Sequence, residues 1–416
     1  MALMSRRPRT TQWHVRHLAA ISALVLLSAW LYGSKLDHEP LRQEEIQLGT
    51  SSSALVSDGW QDREGRHFPL LLHVSEETWL EPFPTYLAAL MTTRRADPID
   101  QLRWIAVLVG MLNVLFIYVL ASRLFVSRAY GFLAAALLLL NPAHFTYSRI
   151  VVRDGVWMLP FVLVALIAFT MFLQVGKPWA LMISSAALGA SAYTQPAAAL
   201  AAPLLMLAEL LGLHRAKRLT RANAQLACGA FAVTLTPLLA WFLRYPSTYL
   251  DTFGRWFLHP AHLRNPVAWL QAATNWYTLT VWLGTYWDFF SPAHLLVNDK
   301  APAFVGVFLL PVGVFIAYGV VESSLQSASR VQTESAVFWI LTMGFAVCPM
   351  AAATFKEPRA IQRVLVIVPF GVLLAIVGVR TLWERGTPWS RTAVFLLINA
   401  AFAQFSLFYR DVMGPL

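Results

Sequence analysis

KLDHEPLRQEEIQLGTSSSALVSDGWQDREGRHFPLLLHVSEETWLEPFPTYLAALMTTRRADPID, residues 35–100, is the stretch on which the fold turns. It is polar, carries most of the acidic residues, and is bracketed by long apolar runs. Glu44 and Glu45 follow Pro40 and open an amphipathic segment with Ile46, Leu48 and Leu55. Gly59, Asp62 and Gly65 come next, then Glu81, Pro82, Pro84 and Tyr86. Such a segment reads as a loop held at a membrane edge by the apolar runs around it.

The bulk composition says the same. Of the 416 residues 57% are hydrophobic and only 13% charged, where soluble domains carry roughly a quarter charged residues. The mean hydropathy of +0.56 requires a second solvent for the apolar surface. Many runs reach roughly 17–22 apolar residues, enough to cross ~30 Å of hydrocarbon as a helix. The net charge of +10 is spread over connecting loops instead of forming a groove. That distribution fits the positive-inside rule and excludes a nucleic-acid binder. Cys228 and Cys348 both fall inside expected spans near opposite faces, too far apart to bridge.

Residues 1–17 form a basic N-terminus, with Arg6, Arg7, Arg9 and Arg16, expected in the cytoplasm. Residues 18–34 lack a small-residue cleavage site before Lys35, so they are expected to remain as a first span rather than a signal peptide. The loop 35–100 then lies outside, with interfacial helices near 44–58 and 82–96. Further spans are expected at 101–122, 129–147, 156–174, 179–193, 197–213, 224–243, 301–321, 335–354, 361–379 and 392–408. A second outer loop, 244–300, is rich in Trp and Tyr, residues that favour the headgroup zone. The expected class is an all-α polytopic membrane protein. It has about eleven transmembrane helices and two large outer loops carrying interfacial helices. Residues 18–416 then form one transmembrane domain with the N-terminus inside and the C-terminus outside, a multi-pass protein expected in a bacterial inner or plasma membrane.

On that topology the outer face holds acidic residues in the first loop and arginines near span ends: Arg149, Arg153, Arg359 and Arg363. Guanidinium groups offer paired donors to phosphate oxygens; a snorkelling side chain or a loop ion pair is the plainer alternative. Glu44 and Glu45 suit a helix N-terminus, or a general base held beside the membrane. A sugar carried on a phosphate needs one carboxylate to take the acceptor's proton, and cations to stabilise the departing phosphate. The chain has no HExxH, CxxC, Walker loop, GxSxG or Rossmann fingerprint. A sugar donor used here is therefore expected to be lipid-linked, with no cofactor or metal required. His259 and His262 of HPAH read as loop residues rather than metal ligands.

These residues resemble the dolichyl-phosphate-mannose protein mannosyltransferase and aminoarabinose transferase group, family 39-like members of the glycosyltransferase C superfamily. In that group a first span leads to an outer loop with an Asp-Glu pair, and in bacterial members to a G-x-D-x-x-G-x-x-x-P pattern. The matching residues here are Glu44-Glu45, then Gly59, Asp62, Gly65 and Pro69, then Pro82 to Tyr86. Similar stretches are Arg103 opening the second span, Ser148-Arg149 after Asn141-Pro142, residues 286–299 with Asp288 and His294, and 358–369. Glu44 stands where the group usually has Asp, so the base is one methylene longer or the chain is altered.

The resemblance implies Glu44 as first-choice base with Glu45 beside it, and Arg149, Arg153, Arg359 and Arg363 on the donor phosphate. Asp62, Glu81, Tyr86, Asp288 and His294 would line the substrate loops. It also implies a lipid groove between spans, closed over by the outer loops. The partners are then a polyprenyl-phosphate sugar, an acceptor on a lipid, glycan or protein, and membrane lipids. Two other classes stand against it. A transporter or lipid flippase would need ionisable residues in mid-span, and the spans are almost free of charge, with Glu209 and Glu322 towards their cytoplasmic ends. A non-catalytic envelope-assembly subunit on the same scaffold would keep the fold and lose turnover.

Overall fold

The computed structural model describes residues 10–75, 78–91, 98–152, 154–248, 271, 275–297, 305–329, 332–355 and 360–414. Helices make nearly all of it. The first stretch gives α1 (Thr10–Gly33), α2 (Gln43–Ser57), α3 (Pro82–Met91), α4 (Pro98–Leu124), α5 (Arg128–Leu139) and α6 (Pro142–Tyr147). The middle gives α7 (Leu159–Val175), α8 (Pro178–Ser191), α9 (Pro196–Arg215) and α10 (Arg221–Arg244). Then come α11 (Trp276–Asp288), α12 (Pro292–Leu295), α13 (Leu310–Ser329), α14 (Gln332–Ala352), α15 (Ile361–Val364), α16 (Ile367–Glu384) and α17 (Pro388–Met413).

Among the described residues, seven helices are long and apolar enough to cross a membrane: α1, α4, α7, α9, α10, α16 and α17. Shorter apolar stretches lie in α5, α13 and α14. Seven, not eleven, therefore meet the criterion on length and composition alone. The shortfall has a physical cause in α5 and α8, whose 12 and 14 residues reach only ~18 and ~21 Å at 1.5 Å per residue.

The expected third span, 129–147, is broken. Asn141 caps the new helix α6 by accepting the His144 N–H at 2.8 Å, and Pro142 takes its first turn. The Asn141 amide also donates to the Val307 carbonyl at 2.9 Å, which ties this corner to the strand of chain before α13. The expected tenth span is likewise split into α15 and α16.

Small residues set the closest helix crossing. A Cβ at Gly319 of α13 would overlap the Leu374 carbonyl of α16, and one at Gly378 would overlap the Phe315 carbonyl. The two backbones meet directly, the arrangement small residues allow between membrane helices. Apolar side chains of α4, α5, α7, α13 and α16 fill the centre, while α10 and α17 leave most of their surface uncovered. Cys228 on α10 is exposed and Cys348 on α14 is buried, and both are free thiols.

One end of the bundle collects residues 34–75 and 78–91, the described residues of the α5–α7 connection, Tyr193, the last turn of α10, α15 and the end of α17. Phe83 N–H donates to the Tyr193 carbonyl at 3.2 Å, Tyr147 reaches Gln362, and Lys35 donates to the Met413 carbonyl at 3.4 Å. Segments expected on a single side thus meet at a single end. An antiparallel pair, β1 (Leu72–Ser75) and β2 (Thr78–Leu80), lies here with Leu72 facing Leu80 and His73 facing Trp79. No strand pattern in the sequence announces it.

Candidate active site

The site is built on two buried arginines. Glu45, in the first turn of α2, is fully buried and meets Arg103 of α4 through Nε–Oε1 at 3.0 Å and Nη2–Oε2 at 2.8 Å. Its oxygens also accept the Val151 N–H at 3.0 Å and the Arg42 N–H at 3.2 Å. Arg103 spends its remaining donors on the carbonyls of Leu36, Glu39 and Pro40. Arg149 is fully buried too, bonded to Glu39 at 3.2 Å and to the carbonyls of Leu31, Tyr32, Ser34 and Lys35. Two guanidinium groups thus satisfy the carbonyls left over where α1 ends and the chain turns toward α2.

One residue earlier the environment changes. Glu44 is exposed and lines a cavity of about 240 Å³ together with Arg42, Gln43, Tyr147, Val152 and Gln362. The one-residue step on α2 turns Glu45 onto α4 and Glu44 away from it. Across the cavity the Tyr147 hydroxyl donates to Gln362 Oε1 at 2.9 Å. Burial pushes the Tyr147 phenol up to about 12, with the charges of Arg42, Glu44 and Asp154 as lesser influences. Asp154 is buried and accepts from Arg363 Nε at 3.0 Å, and the Arg363 guanidinium lies 4.9 Å over the Phe355 ring.

The glycines and Asp62 of the first loop make a tight knot. Gly59 and Gly65 have φ of 71° and 72°, which glycine adopts without a steric penalty. Asp62 accepts the N–H groups of Glu64 and Arg66 at 3.1 and 2.8 Å and the Arg66 Nε at 2.5 Å. Arg66 also pairs with Glu64 at 2.6 Å, and Glu64 pairs with His73. The Arg66 guanidinium sits 5.1 Å over Trp79, 5.4 Å over Trp241 and 5.0 Å over Tyr245, so the loop is clamped onto the end of α10. Tyr86 donates to the Pro69 carbonyl at 2.8 Å and stacks on Trp60. Burial, with the Asp62 charge adding to it, pushes the Tyr86 phenol up to about 12, so it stays a neutral donor.

An apolar groove of about 660 Å³ lies between α3, α4, α7 and α8, with Thr234 of α10 at its side. Its walls include Phe83, Leu87, Leu108, Leu112, Phe161, Ile183 and Ala187. The two linings have no residue in common, but a chain of contacts joins them: the carbonyl of Val152, which lines the cavity, accepts from Trp157 Nε1 at 2.8 Å, and the Trp157 ring meets that of Phe83, which lines the groove, edge to face.

The sequence-expected residues divide clearly. Glu44 lines the cavity, Arg363 is buried next to the cavity residue Gln362 in sequence and paired with Asp154, and Glu45 and Arg149 are turned into the scaffold. Asp62 and Tyr86 hold the first loop, and Glu81 is buried at the start of α3, where its carbonyl accepts from the Thr85 hydroxyl. Asp288 ends α11, and buried His294 on α12 sits edge to face with Phe289; neither lines the cavity. Arg153 and Arg359 lie outside the described residues. Arg42, Tyr147, Gln362 and Asp154 were not picked out from the sequence. For Asp154 a signal was present, a carboxylate five residues past Arg149 in the same polar corner. Among the described residues no group of three or more His, Cys, Asp or Glu gathers in metal-ligand fashion.

The model of the family "Dolichyl-phosphate-mannose-protein mannosyltransferase" matches residues 81–241, a stretch that holds α3 to α10 but not Glu44. An oligosaccharyltransferase of Archaeoglobus fulgidus, solved with a tethered acceptor peptide, superposes with a TM-score of 0.61 at 13% identity. That match covers 98% of this chain and 56% of the oligosaccharyltransferase. ArnT from Cupriavidus metallidurans in the apo state gives a TM-score of 0.51 at 16% identity, over 89% of this chain and 60% of ArnT. This chain thus spans little more than half the length of either protein. No curated protein matches it. The chain has the fold of these two proteins and resembles the mannosyltransferase family over residues 81–241, and its many apolar helices make it an integral multi-pass membrane protein.

Proposed function

We propose that the protein is an inverting glycosyltransferase that moves a sugar from a polyprenyl phosphate to an acceptor hydroxyl at the non-cytoplasmic membrane face. The observation that carries this reading is the pairing of a carboxylate-bearing cavity with an apolar groove, linked through the contacts of Val152, Trp157 and Phe83. A lipid-linked sugar has the same two-part character: an isoprenoid tail for the groove and a charged, hydroxylated head for the cavity. The name of the matching family supports a donor of that class.

In this reading Glu44 takes the proton of the acceptor hydroxyl while the acceptor oxygen attacks the anomeric carbon from the face opposite the phosphate. The bond from the anomeric carbon to the phosphate oxygen breaks, its electron pair leaves on the phosphate, and the sugar configuration inverts. Arg42, which lines the cavity, is proposed to balance the growing negative charge, with Arg363, Arg153 and Arg359 as further candidates. Asp154 holds Arg363 in orientation. Glu45 and Arg149 act as positioning residues, since their polar atoms are engaged by α4 and by the carbonyls after α1. Asp288 and His294 belong to the second loop and are proposed to serve the acceptor side.

The test is transfer from a labelled polyprenyl-phosphate sugar by purified full-length protein and by Glu44→Gln, read alongside mass spectrometry of envelope glycans and glycolipids with and without the protein. Loss of transfer in a folded Glu44→Gln variant is expected. Parental rates in that variant would remove Glu44 as the base.

A further inference from the structure

The cavity beside Glu44 contains a neutral pair that the chemistry above leaves unused. Tyr147, the last residue of α6, and Gln362, in the short helix α15, meet at 2.9 Å although they are far apart in the chain. Both line the cavity, and Gln362 is half-buried there. The bond consumes the Tyr147 proton and one lone pair of Gln362 Oε1. In this bond the amide oxygen of Gln362 faces the hydroxyl. The two N–H groups of Gln362 Nε2 are thereby turned from Tyr147, and the Tyr147 oxygen keeps a lone pair of its own.

A donor and an acceptor lie side by side in this arrangement, both uncharged. Arg42 and Glu44 line the same cavity, so a cation is available for phosphate and a carboxylate for the acceptor proton. What the neutral pair matches is a hydroxyl group, which accepts from Nε2–H and donates to the Tyr147 oxygen at once. The cavity volume of about 240 Å³ falls below the roughly 300–1,000 Å³ of pockets for drug-sized ligands, which suits one sugar ring rather than an oligosaccharide.

Resting on the reading of the site as a sugar-transfer centre, we infer that Tyr147 and Gln362 read a hydroxyl of the transferred sugar and so set which sugar the enzyme accepts. They do not bind the phosphate or the isoprenoid. A site built to hydrogen-bond a hydroxyl discriminates strongly against a donor that lacks it, since its own polar groups are then left unpaired.

The experiment measures binding of bare C55 polyprenyl phosphate, and of the same lipid carrying mannose, glucose, galactose or arabinose, to the full-length protein in nanodiscs. For the parent at least one sugar lipid should bind tenfold or more tighter than the bare phosphate. Gln362→Leu and Tyr147→Phe should each lose that increment, while the affinity for bare phosphate stays within twofold. Gln362→Asn, which keeps the amide but shortens its reach, should retain part of it and serves if the leucine variant fails to fold. An intact sugar increment in the folded variants overturns the assignment and leaves the transferase reading standing. A parallel fall in bare-phosphate affinity also overturns it, because the pair would then touch phosphate. Should the parent show no preference for any sugar lipid, the pair reads none of them, and the transferase reading loses its donor as well.

Discussion

Glu45 and Arg103 form a two-pronged ion pair at 3.0 and 2.8 Å, with side chains 0% and 2% exposed, between the first turn of α2 and the membrane helix α4. Taking either partner away leaves a buried charge uncompensated, which costs about 3–5 kcal/mol. Arg103→Ala and Glu45→Ala are each expected to lower the midpoint of thermal unfolding in detergent. The double variant is expected to lose less than the sum of the two. Arg103→Lys should be nearly as harmful as Arg103→Ala, because one ammonium cannot serve a carboxylate and three carbonyls.

Glu44 should behave in the opposite way. It is exposed at the cavity, so Glu44→Gln is expected to leave the unfolding midpoint within the range of surface substitutions, about ±0.5 kcal/mol. Sugar transfer should nevertheless fall by roughly 10²–10⁴, the usual contribution of a positioned general base. Glu44→Asp should recover part of the rate. The measurement is a pairing of melting curves with single-turnover transfer. A variant that loses both together would speak for a structural Glu44.

How far the sequence foretold this can be argued from the same two residues. Composition and apolar runs delivered the helices, and the Glu44-Glu45 pair marked the right turn of α2. Which of the two faces the scaffold depends on where Arg103 of α4 sits, a contact 58 positions away, and no local pattern encodes it. Arg149 looked like a phosphate ligand because it is a cation at a span end. Its donors go instead to carbonyls stranded by the end of α1, whose need shows only once the helix termini are placed. Tyr147 and Gln362 were silent for the same reason: each is an ordinary polar residue until the bundle brings α6 and α15 together. The hairpin at 72–80 is short, and the side-chain stacking of His73 on Trp79 holds it rather than any alternation in the sequence.

Asp62 explains the G-x-x-D-x-x-G spacing of residues 59–65 as a matter of backbone geometry. It gathers the N–H groups of Glu64 and Arg66 and the Arg66 guanidinium within residues 62–66. Asp62→Ala is expected to raise amide hydrogen exchange across residues 59–69 by tenfold or more while leaving α4 and α7 protected. Arg66→Ala should do the same and, in addition, free the side chains of Trp79 and Trp241, visible as a change in tryptophan fluorescence. Uniform loss of protection throughout the bundle would show instead that the knot is part of the global folding unit.

Gly319 should be among the least replaceable positions in the apolar core. A methyl group there meets the Leu374 carbonyl, and backbone cannot rotate away as a side chain can. Gly319→Ala is expected to destabilise by about 1–3 kcal/mol, the usual cost of overpacking, and Gly319→Leu to prevent folding in the membrane. Gly229 of α10 is the matched control. Nothing lies within 4 Å of the place its Cβ would occupy, so Gly229→Ala should be tolerated or mildly stabilising.

The groove prediction separates tail binding from chemistry. Ala187 and Ala190 of α8 line the groove, away from the residues around Glu44. Ala190→Phe puts a ring into an apolar space of about 660 Å³ without adding charge or touching the cavity. For a C55 donor the expected result is a rise in KM of tenfold or more at nearly unchanged kcat. That is the pattern of an interaction equally strong in the ground and transition states. A donor truncated to ten carbons should be used by the variant and the parent alike, at the poor KM of a substrate that never filled the groove. Equal impairment with both donors would mean that the isoprenoid lies elsewhere, and the contacts from Val152 through Trp157 to Phe83 would lose their meaning as the junction of head and tail.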